Sequence, residues 1–279
     1  MSQFSSSSSM QPLSVGNVVT AGIRIYRSHL RAYFLLALKA YVWLLVPVYG
    51  WAKHHTINAQ VSRLAFGELV SQPEAVKSAY SQIKHKLWYF LFTQIVVNIL
   101  LFGTNLGISF IQALIIRFLG VTPGRETVLI TLVYPLLYLI GLIIYIWVYS
   151  RFFIPELPLA IEDNIDYVKA ASRSWKLTKG HVLRLQAIVL LTAIITLPLI
   201  FLSSIPLILA FGLLVAFSAN ATTSFNASAF LGLLLVGVIL VLLASAFTTP
   251  LWQSIKAVVY YDLRTRKEGL GLKLRDRDI

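Results

Sequence analysis

LQAIVLLTAIITLPLIFLSSIPLILAFGLLVAFSANATTSFNASAFLGLLLVGVILVLLASAFTTPLWQSI, residues 185–255, decides the fold, because it contains no Asp, Glu, Lys, Arg or His. A run of that length crosses a hydrocarbon layer of about 30 Å twice, one helical crossing taking about 20 residues. No soluble core needs it. The whole chain agrees: of its 279 residues 57% are hydrophobic and 13% charged, where a soluble domain carries about 25% charged residues.

Outward from this stretch, apolar segments fall at about 33–51, 87–119, 127–149, 183–217 and 228–249, and runs this long and continuous read as helix rather than strand. The fold class is therefore all-α, an integral membrane helical bundle of about four to six spans. One membrane domain covers 15–268. Residues 1–14, with the serine run Ser5–Ser9 and neither a basic n-region nor an apolar h-region, read as a disordered tail; 269–279 form a basic C-terminal tail. A helix over 87–119 would measure roughly 50 Å, which predicts a break near Gly103 or Gly107. Pro198, Ser203, Ser204 and Pro206 predict a span followed by a bend in 183–217.

The formal charge is +13. Its bases flank apolar spans, so anionic headgroups rather than nucleic acid are the expected partners. Only Arg117 and Arg125 fall on the outer side, while 14–31, 52–86, 151–182 and 250–279 hold nearly all the rest. Positive-inside topology puts those segments and both termini in the cytoplasm. Both ends of 33–51 then face one side. Pro47, Gly50 and Lys39 fit a re-entrant hairpin there, the alternative being an ordinary span with a five-base outer segment.

Three aromatic-plus-basic segments each end where an apolar run begins: Ile25–Arg31, Ala79–Lys86 and Ser174–His181. They read as a collar of amphipathic interfacial helices, with rings at headgroup depth and bases on phosphates. A final helix, roughly Trp252 to Lys267, is expected to lie along the membrane surface. The candidate headgroup-binding residues are Arg24, Arg27, Lys84 and Lys86, then Trp175, Lys176 and Lys179, and last Arg264, Arg266 and Lys267. Within the membrane, Tyr134, Tyr138, Gly141, Tyr145 and Tyr149 share one narrow helix face. With Lys39, the lone charge in an apolar run, the four tyrosines are candidates for an intramembrane groove. Tight packing about Gly141, and a Lys39 that snorkels to the surface, are the plainer alternatives.

Catalytic patterns are sparse. Gly107-Ile108-Ser109-Phe110 has the look of an intramembrane serine-protease turn, yet no span contains a histidine to serve as its base. Adjacent His54 and His55 point about 100° apart on a helix and read as surface imidazoles. Glu156, Glu162, Asp163 and Asp166 cluster, but Lys169 and Arg173 follow at spacings that neutralise them. No phosphate-binding loop occurs. With cysteine absent, disulfides and thiolate chemistry are excluded. No catalytic residue, metal site or cofactor is expected.

Arg63-Leu64-Ala65-Phe66-Gly67-Glu68, Ala170-Ala171-Ser172-Arg173-Ser174-Trp175-Lys176-Leu177 and Tyr260-Tyr261-Asp262-Leu263-Arg264-Thr265-Arg266-Lys267-Glu268-Gly269 together resemble bacterial multi-span proteins similar to the membrane domain of glycerophosphoryl diester phosphodiesterases. The resemblance implies a bundle with the tail motif at the cytoplasmic surface of a bacterial membrane. It does not imply phosphodiesterase activity, which in that family belongs to a separate soluble barrel. The expected role is a non-enzymatic scaffold or accessory subunit binding anionic lipid and a membrane-protein partner or a second copy. A permease for a lipid or small amphiphile and a lipid-headgroup enzyme are the alternatives.

Overall fold

A computed structural model describes residues 13–118, 128–219 and 227–269. Among them the chain forms only helices, α1 (Val15–Ser28), α2 (Leu30–Trp43), α3 (Tyr49–Leu69), α4 (Val76–Ile83), α5 (Leu87–Phe118), α6 (Val128–Arg151), α7 (Glu156–Ile161), α8 (Tyr167–Thr178), α9 (Val182–Ala219) and α10 (Ala227–Glu268). Residues predicted as N- and C-terminal tails lie mostly outside the described residues, as does Arg125.

Four helical stretches are long and apolar enough to cross a membrane, Val76–Phe118, Leu132–Ile161, Val182–Phe217 and Ala227–Glu268. They run up, down, up and down. Their apolar halves expose Phe102, Phe110, Leu197, Phe211 and Leu235, the pattern of side chains solvated by lipid rather than by protein. α5 contacts α6, α6 contacts α9 and α9 contacts α10, whereas α5 and α10 scarcely touch each other and both rest on α3. The spans therefore stand in an open row.

α9 and α10 have 38 and 42 residues, or about 57 and 63 Å, twice what the hydrocarbon requires. The excess enters a polar half that also holds α1, α2, α3, α7 and α8. Its core joins Val18, Tyr26, Phe153, Leu157, Leu177 and Tyr260. Gly22 lets α1 approach α10, because a Cβ there would overlap Ile255.

One expected interruption is absent. α5 continues through Gly103 and Gly107, because a glycine costs a helix only about 1 kcal/mol, less than exposing free backbone groups to lipid. α9 is also a continuous helix through Pro198 and Pro206, an arrangement compatible with a bend at prolines inside a helix. Residues 33–51 form no span but an α-helical hairpin, α2 leading through Leu44–Val48 into α3.

The final basic segment also differs from expectation. Trp252–Lys267 is the continuation of α10 into the polar core, with Ile255, Val258 and Tyr260 fully buried. It is a central strut and not a surface helix. Of its cations, Lys256 pairs with the distant Glu156, while Arg264 and Arg266 pair with Glu268 and Asp262 one turn away.

Candidate functional site

The α2–α3 hairpin closes tightly. The Tyr49 amide donates to the Pro47 carbonyl at 2.7 Å, a γ-turn whose central residue, Val48, has φ 60° and ψ −68°. This is a strained region for a β-branched residue. Gly50 follows because a Cβ there would overlap the Trp43 carbonyl oxygen. The closure leaves Leu45, Val46, Val48 and Trp51 exposed at the tip and folds Lys53 back over Trp43, 4.0 Å from the ring centre.

Above the tip a cavity of about 220 Å³ is lined by Lys39, Lys53, Lys77, Trp43, Gln60 and Tyr80, among others, with no acidic side chain in its wall. Gln60 fixes its far side by donating to the Val76 carbonyl at 2.7 Å. Lysines from α2, α3 and α4 thus line one cavity.

The other face of α3 borders a second cavity of about 220 Å³, whose wall includes His54, His55, Asn58, Thr93, Glu156 and Lys256. Its charge is balanced. Lys256 Nζ lies 2.5 Å from Glu156 Oε1, both side chains being 17% exposed. His54 Nδ1 meets the Ala40 carbonyl at 3.1 Å, so that nitrogen carries the proton and Nε2 accepts from the Asn58 amide at 3.0 Å. This bonding assigns a neutral tautomer. Burial lowers the His54 pKa against a smaller opposing effect of the Ala40 bond. Burial pushes His55 down to about 4, with His54 and then Lys256 adding to the shift. Both histidines are buried or partly so, not the surface imidazoles the sequence predicts, because α5, α7 and α10 close over them.

The predicted headgroup residues divide. Arg24, Arg27, Lys84, Lys176 and Lys179 are exposed. Others serve the fold: Arg264 pairs with Glu268 at 3.0 Å and Arg266 with Asp262 at 2.9 Å. Lys267 donates to the Lys176 and Lys179 carbonyls at 2.7 and 2.8 Å, and Lys86 to those of Leu159 and Glu162 at 3.0 and 2.9 Å. Trp175 stacks under Arg151, 4.1 Å from its guanidinium carbon. Of the supposed collar rings, Tyr26 is buried and donates to the Phe247 carbonyl at 2.8 Å.

Tyr138 and Tyr145 line a lipid-facing groove of about 270 Å³ between α5 and α6, with Asn105, Ser109, Gln112 and Gly141. Helix packing is also tight here. Gln112 donates to the Leu137 carbonyl at 2.9 Å, and a Cβ on Gly141 would come within 2.6 Å of that amide. Tyr134 is exposed outside the groove wall, and Tyr149 turns toward Phe153, ring centres 6.2 Å apart. Lys39 belongs to the three-lysine cavity instead.

Two members of the acidic cluster make contacts within the fold. Glu162 receives Arg173 at 3.1 Å and the Tyr260 hydroxyl at 2.5 Å, while Asp166 caps α8 by accepting from the Lys169 amide at 2.7 Å. Among the described residues no group of three His, Cys, Asp or Glu is placed to hold a metal ion.

The fold thus defines a multi-pass helical membrane protein. The stretches 63–68, 170–177 and 260–269 meet in space: Phe66 packs on Tyr260, ring centres 5.6 Å apart, Arg173 pairs with Glu268 at 2.5 Å and Lys267 reaches Lys176. No family model, curated protein or solved structure matches the chain.

Proposed function

We propose that this is a non-enzymatic scaffold or accessory protein of a bacterial membrane that grips an anionic lipid headgroup between Lys39, Lys53 and Lys77 and presents its helix faces to a membrane partner. The three-lysine cavity carries this reading, because its wall holds no acid to neutralise them. Depth supports it. At about 1.5 Å per helical residue, Lys39 and Lys53 stand roughly 8–9 Å behind the apolar tip at Leu45–Val48. With the tip at the hydrocarbon boundary, the ammonium groups lie at the level of the phosphates. Positive-inside topology then turns the polar half and both ends of the described chain toward the cytoplasm. Exposed Arg24, Arg27, Lys84, Lys176 and Lys179 extend the attraction around that half. The groove at Tyr138 and Tyr145 favours, as a second reading, a permease for a lipid or small amphiphile.

Native mass spectrometry from mild detergent tests the proposal, comparing retention of phosphatidylglycerol with phosphatidylcholine. The variant Lys39→Gln/Lys53→Gln/Lys77→Gln removes three charges at about 1 kcal/mol each near an anionic surface, so retention of phosphatidylglycerol should fall by about two decades. Equal retention by variant and parent refutes the assignment.

A further inference from the structure

We infer that the second cavity, walled by α3, α5, α7 and α10, is a binding site for an uncharged, hydroxyl-rich group of the sugar or polyol kind, borne on a lipid or free in solution. This goes beyond the anionic site: it lies on the opposite face of α3, and Thr93, Glu156 and Lys256 take no part in the three-lysine chamber.

The first argument is charge. Lys256 is matched by Glu156 at 2.5 Å, and the contacts of His54 with Ala40 and Asn58 fix it as the neutral tautomer. A phosphate would confront the Glu156 carboxylate without a cation left over to offset it, so an anion is disfavoured.

The second is hydrogen-bonding capacity. Asn58 has spent its amide N–H on His54, and its Oδ1 is a buried acceptor with no partner; Thr93 Oγ1 is likewise buried and unpartnered. Both residues are over nine-tenths buried. Buried polar atoms in native proteins are paired as a rule, and an exception calls for a missing partner. Gln253 Oε1 accepts from the Ser62 hydroxyl at 2.5 Å, leaving its amide N–H groups, Lys256 keeps further donors and Glu156 a second oxygen. The wall thus mixes acceptors and donors, the complement of a group whose hydroxyls each do both.

The third is access. The cavity lies between α5 and α10, lined by Phe90, Thr93 and Gln94 on one helix and Thr249, Gln253 and Lys256 on the other. Beyond these residues both helices expose apolar side chains, Ile95 and Ile99 on α5 and Leu243 and Phe247 on α10. A lipid standing between the two helices brings its headgroup to the polar chamber while its chains stay in hydrocarbon. At about 220 Å³ the chamber has the room of roughly seven waters, enough for a headgroup and too little for a whole lipid.

The test uses the full chain in phosphatidylcholine nanodiscs, alone or doped with monoglucosyl diacylglycerol, plain diacylglycerol or phosphatidic acid, and separately with glucose in the buffer. Melting temperature and native mass spectrometry are read. Stabilisation by the glucosyl lipid above diacylglycerol supports the site, and stabilisation by free glucose supports it with a soluble source. Thr93→Val keeps the side-chain shape and removes the orphan hydroxyl, so the ligand-free variant should melt no lower than the parent while binding about fivefold more weakly, the loss of one hydrogen bond. No shift with either sugar form, equal binding by Thr93→Val, or a phosphatidic acid response at least as large and as sensitive to Thr93→Val overturns the inference.

Discussion

Neutralising Glu156 should destabilise the protein far more than neutralising it together with its partner. Lys256 and Glu156 sit 2.5 Å apart and mostly out of solvent. With charge centres roughly 4 Å apart and an effective dielectric of about 20, their attraction is ~4 kcal/mol. Glu156→Gln leaves the ammonium buried without a counter-charge, a loss of about 3–5 kcal/mol in such sites. Lys256→Met leaves the carboxylate in the same position. The double variant removes both charges and restores little of the desolvation penalty to the folded state, so it should recover at least 2 kcal/mol relative to the sum of the singles. In a chain of this size 1 kcal/mol moves the melting temperature by roughly 2–4 °C; each single variant should therefore melt roughly 10 °C lower and the double should lie well above the additive value. Trp252, whose ring centre is 6.2 Å from that of Phe153 under Lys256, reports unfolding by fluorescence in detergent. Additive shifts, or single variants that melt within about 2 °C of the parent, refute the picture of a buried, mutually dependent pair.

Two further outcomes follow from the same geometry. Gly50→Ala places a methyl group on the Trp43 carbonyl, so the hairpin tip must open; a stability loss of about 1–3 kcal/mol should come with weaker phosphatidylglycerol retention, since Lys39 and Lys53 move apart. A pH series should show stability intact above about pH 6.5 and falling toward pH 4. His55 is held near 4 in the fold against 6.5 when free, so between those values the unfolded chain binds the extra proton. The ceiling from this residue is about 3 kcal/mol, and the fall in melting temperature should shrink in His55→Gln.

The spans were legible from sequence because lipid enforces a simple rule: long apolar runs free of charge must be helices, and residues 185–255 obey it. What local pattern could not show was which cations are already matched. Arg264 and Arg266 find Glu268 and Asp262 one turn away, a spacing open to inspection, but Lys256 finds Glu156 and Arg173 finds Glu268 across the fold. Composition around Trp252–Lys267 resembles a surface helix, and only the arrival of α1 and α3 against it makes it a core helix. His54 and His55 read as surface residues for the same reason, since Lys53 beside them signals surface while residues of α5, α7 and α10 share the cavity wall with them. The three-lysine cavity draws on Lys39 and Lys53, which the tight turn at Val48 brings together, and on Lys77, which the connection from α3 to α4 carries back to them.

α10 has one further mechanical consequence. It is a single unbroken helix with Pro250 about midway along it, roughly 34 Å of rod on the lipid side and 27 Å on the other. Its two halves meet different surroundings, lipid-facing side chains before Pro250 and a buried core after it. Pro250 removes one backbone hydrogen bond there, so it is the point at which the half bearing lipid-facing Leu235 and Val238 would bend against the half that holds Asp262 and Arg266.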